Sequence, residues 1–123
     1  MEIAEYFLKR DGGGERASNI LQMGVNKYPL NENLVHVQSI FSTNPNQSIE
    51  NIRRLIDENP QNVNNYVIRS GLFTKLGDKQ TAVTDLRKAY TLGKKQKYDE
   101  SFLGEIQEGI AELTGTKKIN RLN

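Results

Sequence analysis

The segment from Tyr66 to Leu92 constrains the fold of this chain more than any other part of it. Its apolar residues recur at helical spacing in two runs, and Gly77-Asp78 separates the runs. Glycine tolerates the left-handed conformation that often ends a helix, and an aspartate can accept hydrogen bonds from the free amides that open the next helix. We therefore expect two helices joined by a tight turn. Their apolar stripes consist of Tyr66, Phe73 and Leu76, and then of Val83, Leu86 and Tyr90.

Two alanines, Ala82 and Ala89, fall on nearly one face of the second helix, where small side chains let two helices approach closely. Because the turn glycine and both alanines occur in register, the segment resembles one tetratricopeptide repeat, a helix–turn–helix unit of about 34 residues. The signature positions are occupied by Tyr66, Ser70, Phe73, Gly77, Ala82, Leu86 and Ala89.

The same pattern recurs twice upstream, and each occurrence ends near a proline, Pro29 or Pro60. Proline cannot continue a helix and is common just after one. The small residue at the place of Ala82 is Ala17 in the first occurrence and Ser48 in the second. At the place of Leu86, the two upstream occurrences have Leu21 and Ile52. At the place of Ala89 they have Gly24 and Leu55, and Leu55 departs from the small-residue pattern.

The first helix of each upstream repeat is less regular. Leu34, Val37 and Phe41 supply the apolar positions of repeat two, and residues 42–47 are expected to form a loop because polar residues and a proline dominate them. In repeat one, residues 11–14 contain three consecutive glycines and are expected to turn the chain. The signature places before that turn are held by Met1, Ala4, Glu5 and Leu8, with Glu5 where a small residue is usual.

The C-terminal part is expected to be a single amphipathic helix that ends at Thr114-Gly115. A stack of repeats needs a terminal element with a polar outer face, and Glu105, Gln107, Glu108 and Glu112 supply that polarity. A second interpretation makes this helix half of an interface with another subunit. Its apolar stripe consists of Phe102, Ile106, Ile110 and Leu113.

The resemblance implies an all-α fold, an α-solenoid of antiparallel helix hairpins in a right-handed superhelix, with about seven helices. We expect a single domain over residues 1–123. It would comprise repeats at roughly 1–30, 31–62 and 63–96, a capping helix at roughly 97–114 and a basic tail at 115–123.

Composition limits the kinds of partner. The net charge is only +2 and there is no cysteine, so nothing indicates a nucleic-acid partner, a disulfide or a thiolate metal site. No run is long and apolar enough to span a bilayer, and residues 1–14 do not resemble a secretory signal. We expect a cytoplasmic protein, and an extracytoplasmic fragment of a longer chain is the alternative.

Residues that could support catalysis are few. His36 is the only histidine, and one histidine without cysteines or clustered carboxylates does not make a zinc site. Ser39, Ser42 and Ser48 lie near it in sequence, but a serine nucleophile also needs an orienting acid and an oxyanion site. The glycines at 12–14 lack the Lys-Ser/Thr of a phosphate-binding loop. We therefore predict no enzymatic activity and no cofactor.

The resemblance also implies a concave groove lined by the first helices, where members of the family bind peptides in extended or helical form. The groove positions carried onto this chain are Tyr6, Lys9 and Arg10 in repeat one, Glu32, Val35 and Ser39 in repeat two, and Asn64, Val67, Gly71 and Lys75 in repeat three.

Some family members use lysine, asparagine and arginine side chains in this groove to bind the C-terminal carboxylate of chaperone tails. The corresponding positions here contain neither lysine nor arginine. They are Glu2, Tyr6, His36, Asn64 and Ile68. We therefore do not expect a chaperone-tail peptide to bind in that way.

Three functions are open on these grounds. The favoured one is a monomeric, non-catalytic scaffold that binds a peptide or a partner's helix in the groove. The second is a structural or assembly role, in which the terminal faces associate with other copies or with the rest of a larger chain. The third is a regulatory domain of a larger protein.

Overall fold

The computed structural model describes residues 14–116, and every regular element in that range is an α-helix. The predicted all-α class is therefore confirmed. Residues 1–13, which include the predicted first helix with Tyr6, Lys9 and Arg10, lie outside the described residues, as do residues 117–123 of the tail. The helices are α1 (Glu15–Lys27), α2 (Glu32–Ile40), α3 (Pro45–Glu58), α4 (Val63–Lys75), α5 (Lys79–Lys95) and α6 (Glu100–Thr114).

The chain divides into two compact units, Met1–Pro60 and Gln61–Asn123. Helices α1 to α3 belong to the first unit and α4 to α6 to the second. The pair α2 and α3 falls within predicted repeat 31–62, and the pair α4 and α5 within predicted repeat 63–96. Their assembly into one solenoid domain stays a prediction.

Five of the six helices in the described range begin after an asparagine or aspartate whose side chain accepts a backbone N–H. This satisfies one of the amides that a helix N-terminus leaves without a partner. One cap corrects the sequence prediction, because α3 begins at Pro45, inside the segment 42–47 expected to be a loop. The Asn44 side chain accepts from the Gln47 amide at 3.3 Å, and a proline at the first helical position is already in helical conformation.

The turn at Gly77 confirms the helix–turn–helix predicted from the sequence. Gly77 has a φ of +81°, and the Asp78 amide donates to the Phe73 carbonyl at 3.0 Å, which closes the end of α4. The Asp78 carboxylate accepts from the Thr81 hydroxyl at 2.7 Å and from the Thr81 amide at 3.1 Å. These hydrogen bonds lower the pKa of Asp78.

Helix α5 presents small residues to α4. Ala82 and Ala89 have no exposed surface. Asp85 lies three residues after Ala82 and four residues before Ala89, and its carboxylate binds Arg69 on α4. The three side chains therefore share the face that meets α4. The predicted stripe of α4 needs one correction, since Leu76 is 43% exposed. Leu76 follows the last helical residue as the C-cap and leaves the buried face of the helix.

Two glycines allow α5 and α6 to approach each other closely. A Cβ at Gly93 would lie 2.9 Å from Leu103 Cδ2, and one at Gly109 would lie 3.3 Å from Leu86 Cδ1. The predicted end of α6 is confirmed, because the helix stops at Thr114 and Gly115 has a φ of +81°.

The apolar core of the first unit includes a buried cluster of Ala17 and Leu21 on α1. The partly buried side chains of Leu34, Val37 and Phe41 pack against this cluster. These three were the apolar positions predicted for the first helix of repeat two. A Cβ at Gly24 would lie 3.1 Å from Leu34 Cδ2, so the small residue at this place lets α1 and α2 approach. Within residues 14–116, no helix combines the length and apolar character needed to cross a membrane.

Two exposed glycines give opposite predictions for the free energy of unfolding. Gly71→Ala should raise it by about 0.5–1 kcal/mol, because alanine is the better residue inside a helix and its methyl group would meet nothing within 4 Å. Gly77→Ala should lower it by about 1 kcal/mol, because an alanine is strained in the left-handed conformation. Urea denaturation followed by circular dichroism measures both, and changes of the same sign would contradict the described turn.

Candidate partner-binding surface

Four of the predicted groove residues, Asn64, Val67, Gly71 and Lys75, form a strip along one face of α4. They are spaced three or four residues apart, and residues at this spacing lie above one another on a helix. Asn64, Gly71 and Lys75 are exposed and Val67 is half-buried. Because a Cβ at Gly71 would meet nothing within 4 Å, backbone is open to solvent at the centre of the strip. We call these four residues the α4 strip.

A buried ion pair fixes which face of α4 is exposed. Arg69 Nε and Nη2 donate to the two carboxylate oxygens of Asp85 on α5, both at 2.9 Å. Asp85 is 4% exposed, and a bidentate pair of this kind fixes orientation as well as distance. The Arg69 guanidinium also lies 5.9 Å from the ring centroid of Tyr66. Rotation of α4 relative to α5 would break the hydrogen bonds between Arg69 and Asp85, so the strip is held outward.

The phenol of Tyr66 lies beside this pair and is buried. Burial raises its pKa, and the nearby Arg69 charge only partly opposes that effect. Tyr66 therefore remains neutral at physiological pH and adds no charge beside the strip. Among the four strip residues, only Lys75 carries a formal charge.

The first turn of α4 is also held in place. The Asn62 side chain accepts from the Asn64 amide at 3.1 Å. Gln96, which follows the last residue of α5, donates through Nε2 to the Gln61 carbonyl at 2.6 Å. The chain that enters α4 is thus tied to the end of α5, and Asn64 projects from a fixed first turn.

In the first unit, the predicted groove residues of α2 have different surroundings. Glu32 is exposed, whereas Val35 has no exposed surface and Ser39 is 3% exposed. The Ser39 hydroxyl donates to the Val35 carbonyl within the helix at 2.9 Å. Partner binding by the α2 residues stays a prediction, and the structure places only Glu32 among them at the surface.

A buried polar network that was missed from the sequence joins α1, α2 and α3 in the first unit. Asn51 on α3 donates through Nδ2 to Gln22 on α1 at 2.7 Å and to Gln38 on α2 at 3.2 Å. The Ser48 hydroxyl donates to the same Gln38 oxygen at 3.0 Å. Gln38 is 2% exposed, and Ser48 and Asn51 have no exposed surface. The signal in the sequence is the position of Asn51, which lies three residues after the small residue Ser48 and therefore on the same face of the helix.

A concave surface that was missed from the sequence lies between α5 and α6. One part has a volume of about 500 Å³ and the other about 360 Å³, and Arg87 lines both. We call the two parts together the α5–α6 cleft. The stripe residues Val83, Tyr90, Ile110 and Leu113 are half-buried because they line it.

Residues that could support metal chemistry do not come together in the described range. Between residues 14 and 116, no group of three histidine, aspartate or glutamate side chains is arranged to hold a metal ion. His36 lies half-buried on α2. Two arrangements in the described range, the α4 strip and the α5–α6 cleft, offer a ligand both polar and apolar contacts.

Comparison with protein-family models finds no match for this chain, and comparison with curated proteins also finds none.

Removing the centre of the polar network should destabilise the first unit. Asn51→Ala should lower the free energy of unfolding by about 2 kcal/mol, because it leaves the buried Gln38 without the Asn51 donor. The control is Asn19→Ala on the exposed face of α1, which should change it by less than about 0.5 kcal/mol. Urea denaturation measures both values, and equal effects would show that the network contributes nothing specific.

Proposed function

We propose that this chain is a non-catalytic protein-interaction module of the tetratricopeptide repeat type, which binds a peptide or a partner's helix along the α4 strip. The observation that carries the proposal is the strip itself. It combines a half-buried valine, an exposed glycine backbone and polar ends on a helix whose rotation is fixed by a buried ion pair.

The assignment to this repeat type is supported by burial at equivalent positions. The small residues Ala17, Ser48 and Ala82 occupy the same place in the three predicted repeats, and all have no exposed surface. The larger residues four positions later, Leu21, Ile52 and Leu86, are also buried. A repeating sequence pattern with repeating burial is what a helical repeat requires, since each unit buries the same face.

The chemistry of the strip suits a short segment of another protein. Gly71 leaves room for a side chain of the partner to approach the helix backbone, and Val67 offers apolar surface beside it. The Asn64 amide can donate and accept hydrogen bonds, while Lys75 attracts an acidic residue at the other end. A small, partly polar surface of this kind is expected to bind weakly, with a dissociation constant on the order of micromolar.

Self-association is the second candidate, and exposed apolar side chains favour it. In the first unit, Met23 is 70% exposed and Ile40 is 67% exposed, and Tyr28 and Leu30 are more than half exposed. Exposed apolar surface can mark an interaction site. Light scattering coupled to size exclusion separates the candidates, because a monomer supports the module, whereas an oligomer that dissociates in the double variant Met23→Glu and Ile40→Glu supports assembly.

The proposal predicts that a charge at the centre of the strip abolishes partner binding. Peptides selected on the wild-type protein by phage display should bind Gly71→Glu at least about tenfold more weakly, because the new side chain fills the opening in the strip. Gly104→Glu on α6 is the matched control, since Gly104 is also an exposed helical glycine whose Cβ would meet nothing within 4 Å.

Fluorescence anisotropy measures the affinities, and circular dichroism verifies that both variants are folded. Wild-type affinity for Gly71→Glu, or an equal loss with both glycine variants, would contradict binding on the α4 strip.

A further inference from the structure

The α5–α6 cleft has the dimensions of a binding site for a short peptide segment. Its lining extends along α5 from Lys79 to Thr91, about 18 Å at the helical rise of 1.5 Å per residue. That length accommodates about five residues of extended chain or about three turns of helix. The cleft lies wholly within the second unit, on helices other than the one that carries the α4 strip.

The cleft offers half-buried apolar side chains from both helices. Val83 comes from α5, and Ile110, Ala111 and Leu113 come from α6. At one end, Gln107 Nε2 donates to the Tyr90 hydroxyl at 3.1 Å and joins the two helices. An occupant with apolar side chains on one face would cover this surface and gain the free energy of removing it from water.

The charged residues that line the cleft are all cationic. They are Lys79 and Arg87, and no aspartate or glutamate is among the described residues that line either part. Arg87 is exposed, and within residues 14–116 its guanidinium makes no ion pair, whereas Arg53 and Arg69 are each paired with a carboxylate. An unpaired guanidinium beside apolar surface is suited to bidentate binding of a carboxylate.

We propose that the α5–α6 cleft binds an acidic amphipathic segment of a partner protein. Its apolar side chains pack on Ile110, Ala111 and Val83, and one of its carboxylates accepts hydrogen bonds from Arg87. Residues 117–123 of this chain are themselves basic, so their charge does not complement that of Arg87. This proposal shares with the proposed function only the assumption that the partner is a protein. The α5–α6 cleft and the α4 strip are separate surfaces.

Two synthetic helical peptides of about twelve residues test the sign of the charge. Both carry leucines on one face, and the other face carries glutamates in one peptide and lysines in the other. The glutamate peptide should bind at least about tenfold more tightly. In spectra of the isotope-labelled protein, it should shift the amide signals of Arg87, Thr91 and Ala111 more than those of the α4 strip.

Charge reversal at the arginine identifies the contact. Arg87→Glu should weaken binding of the glutamate peptide by at least about tenfold. Lys88→Glu should leave it nearly unchanged, because Lys88 is an exposed neighbour on α5 that lines neither part of the cleft. Gly71→Glu should also leave it unchanged, so that failure of the α4 strip and failure of this cleft are distinguishable.

Three results would overturn the proposal. Equal affinity for the glutamate and lysine peptides would show that the cleft does not select a partner by its charge. Equal effects of Arg87→Glu and Lys88→Glu would show a long-range charge effect without a contact. A dimer in light scattering that dissociates in Arg87→Glu would assign the cleft to a second copy of this chain.

Discussion

The close approach of helices at small residues of α5 is the constraint on which the second unit depends. Ala82 and Ala89 have no exposed surface on the face that meets α4. On the side that meets α6, a side chain at Gly93 would crowd Leu103. A larger residue at any of these positions would push α5 away from α4 or from α6, because the interior between the helices is already closely packed. Helix α5 is therefore the element against which both neighbours are positioned.

The two candidate surfaces are consequences of that packing. Arg69 reaches Asp85 only because α4 lies close to α5, and this pair turns Asn64, Val67, Gly71 and Lys75 outward. On the other side, α6 contacts α5 at Gly93 and Leu103 but leaves a cleft toward Arg87. One surface is exposed helix with an open backbone position, and the other is an apolar cleft with cationic sides. They are suited to segments of different chemistry.

Local patterns in the sequence were sufficient to predict several elements. Gly77 and Gly115 mark the ends of α4 and α6 because left-handed glycines are a local requirement, and helical spacing placed the small residues at buried positions. The start of α3 at Pro45 was missed because the composition of residues 42–47 also suits a loop. The Asn51 network, the Arg69–Asp85 pair and the α5–α6 cleft depend on which residues meet across helices, and a single sequence does not contain that information.

Site-specific photo-crosslinking in cells tests whether a partner binds along the α4 strip. A photoactivatable amino acid would replace Lys75 in one variant and Glu105, which is exposed on α6 and lines neither part of the cleft, in another. We expect a discrete protein adduct from position 75 that disappears when Gly71→Glu is added, and no such adduct from position 105. The same adduct from both positions, or one that persists with Gly71→Glu, would contradict binding along the α4 strip.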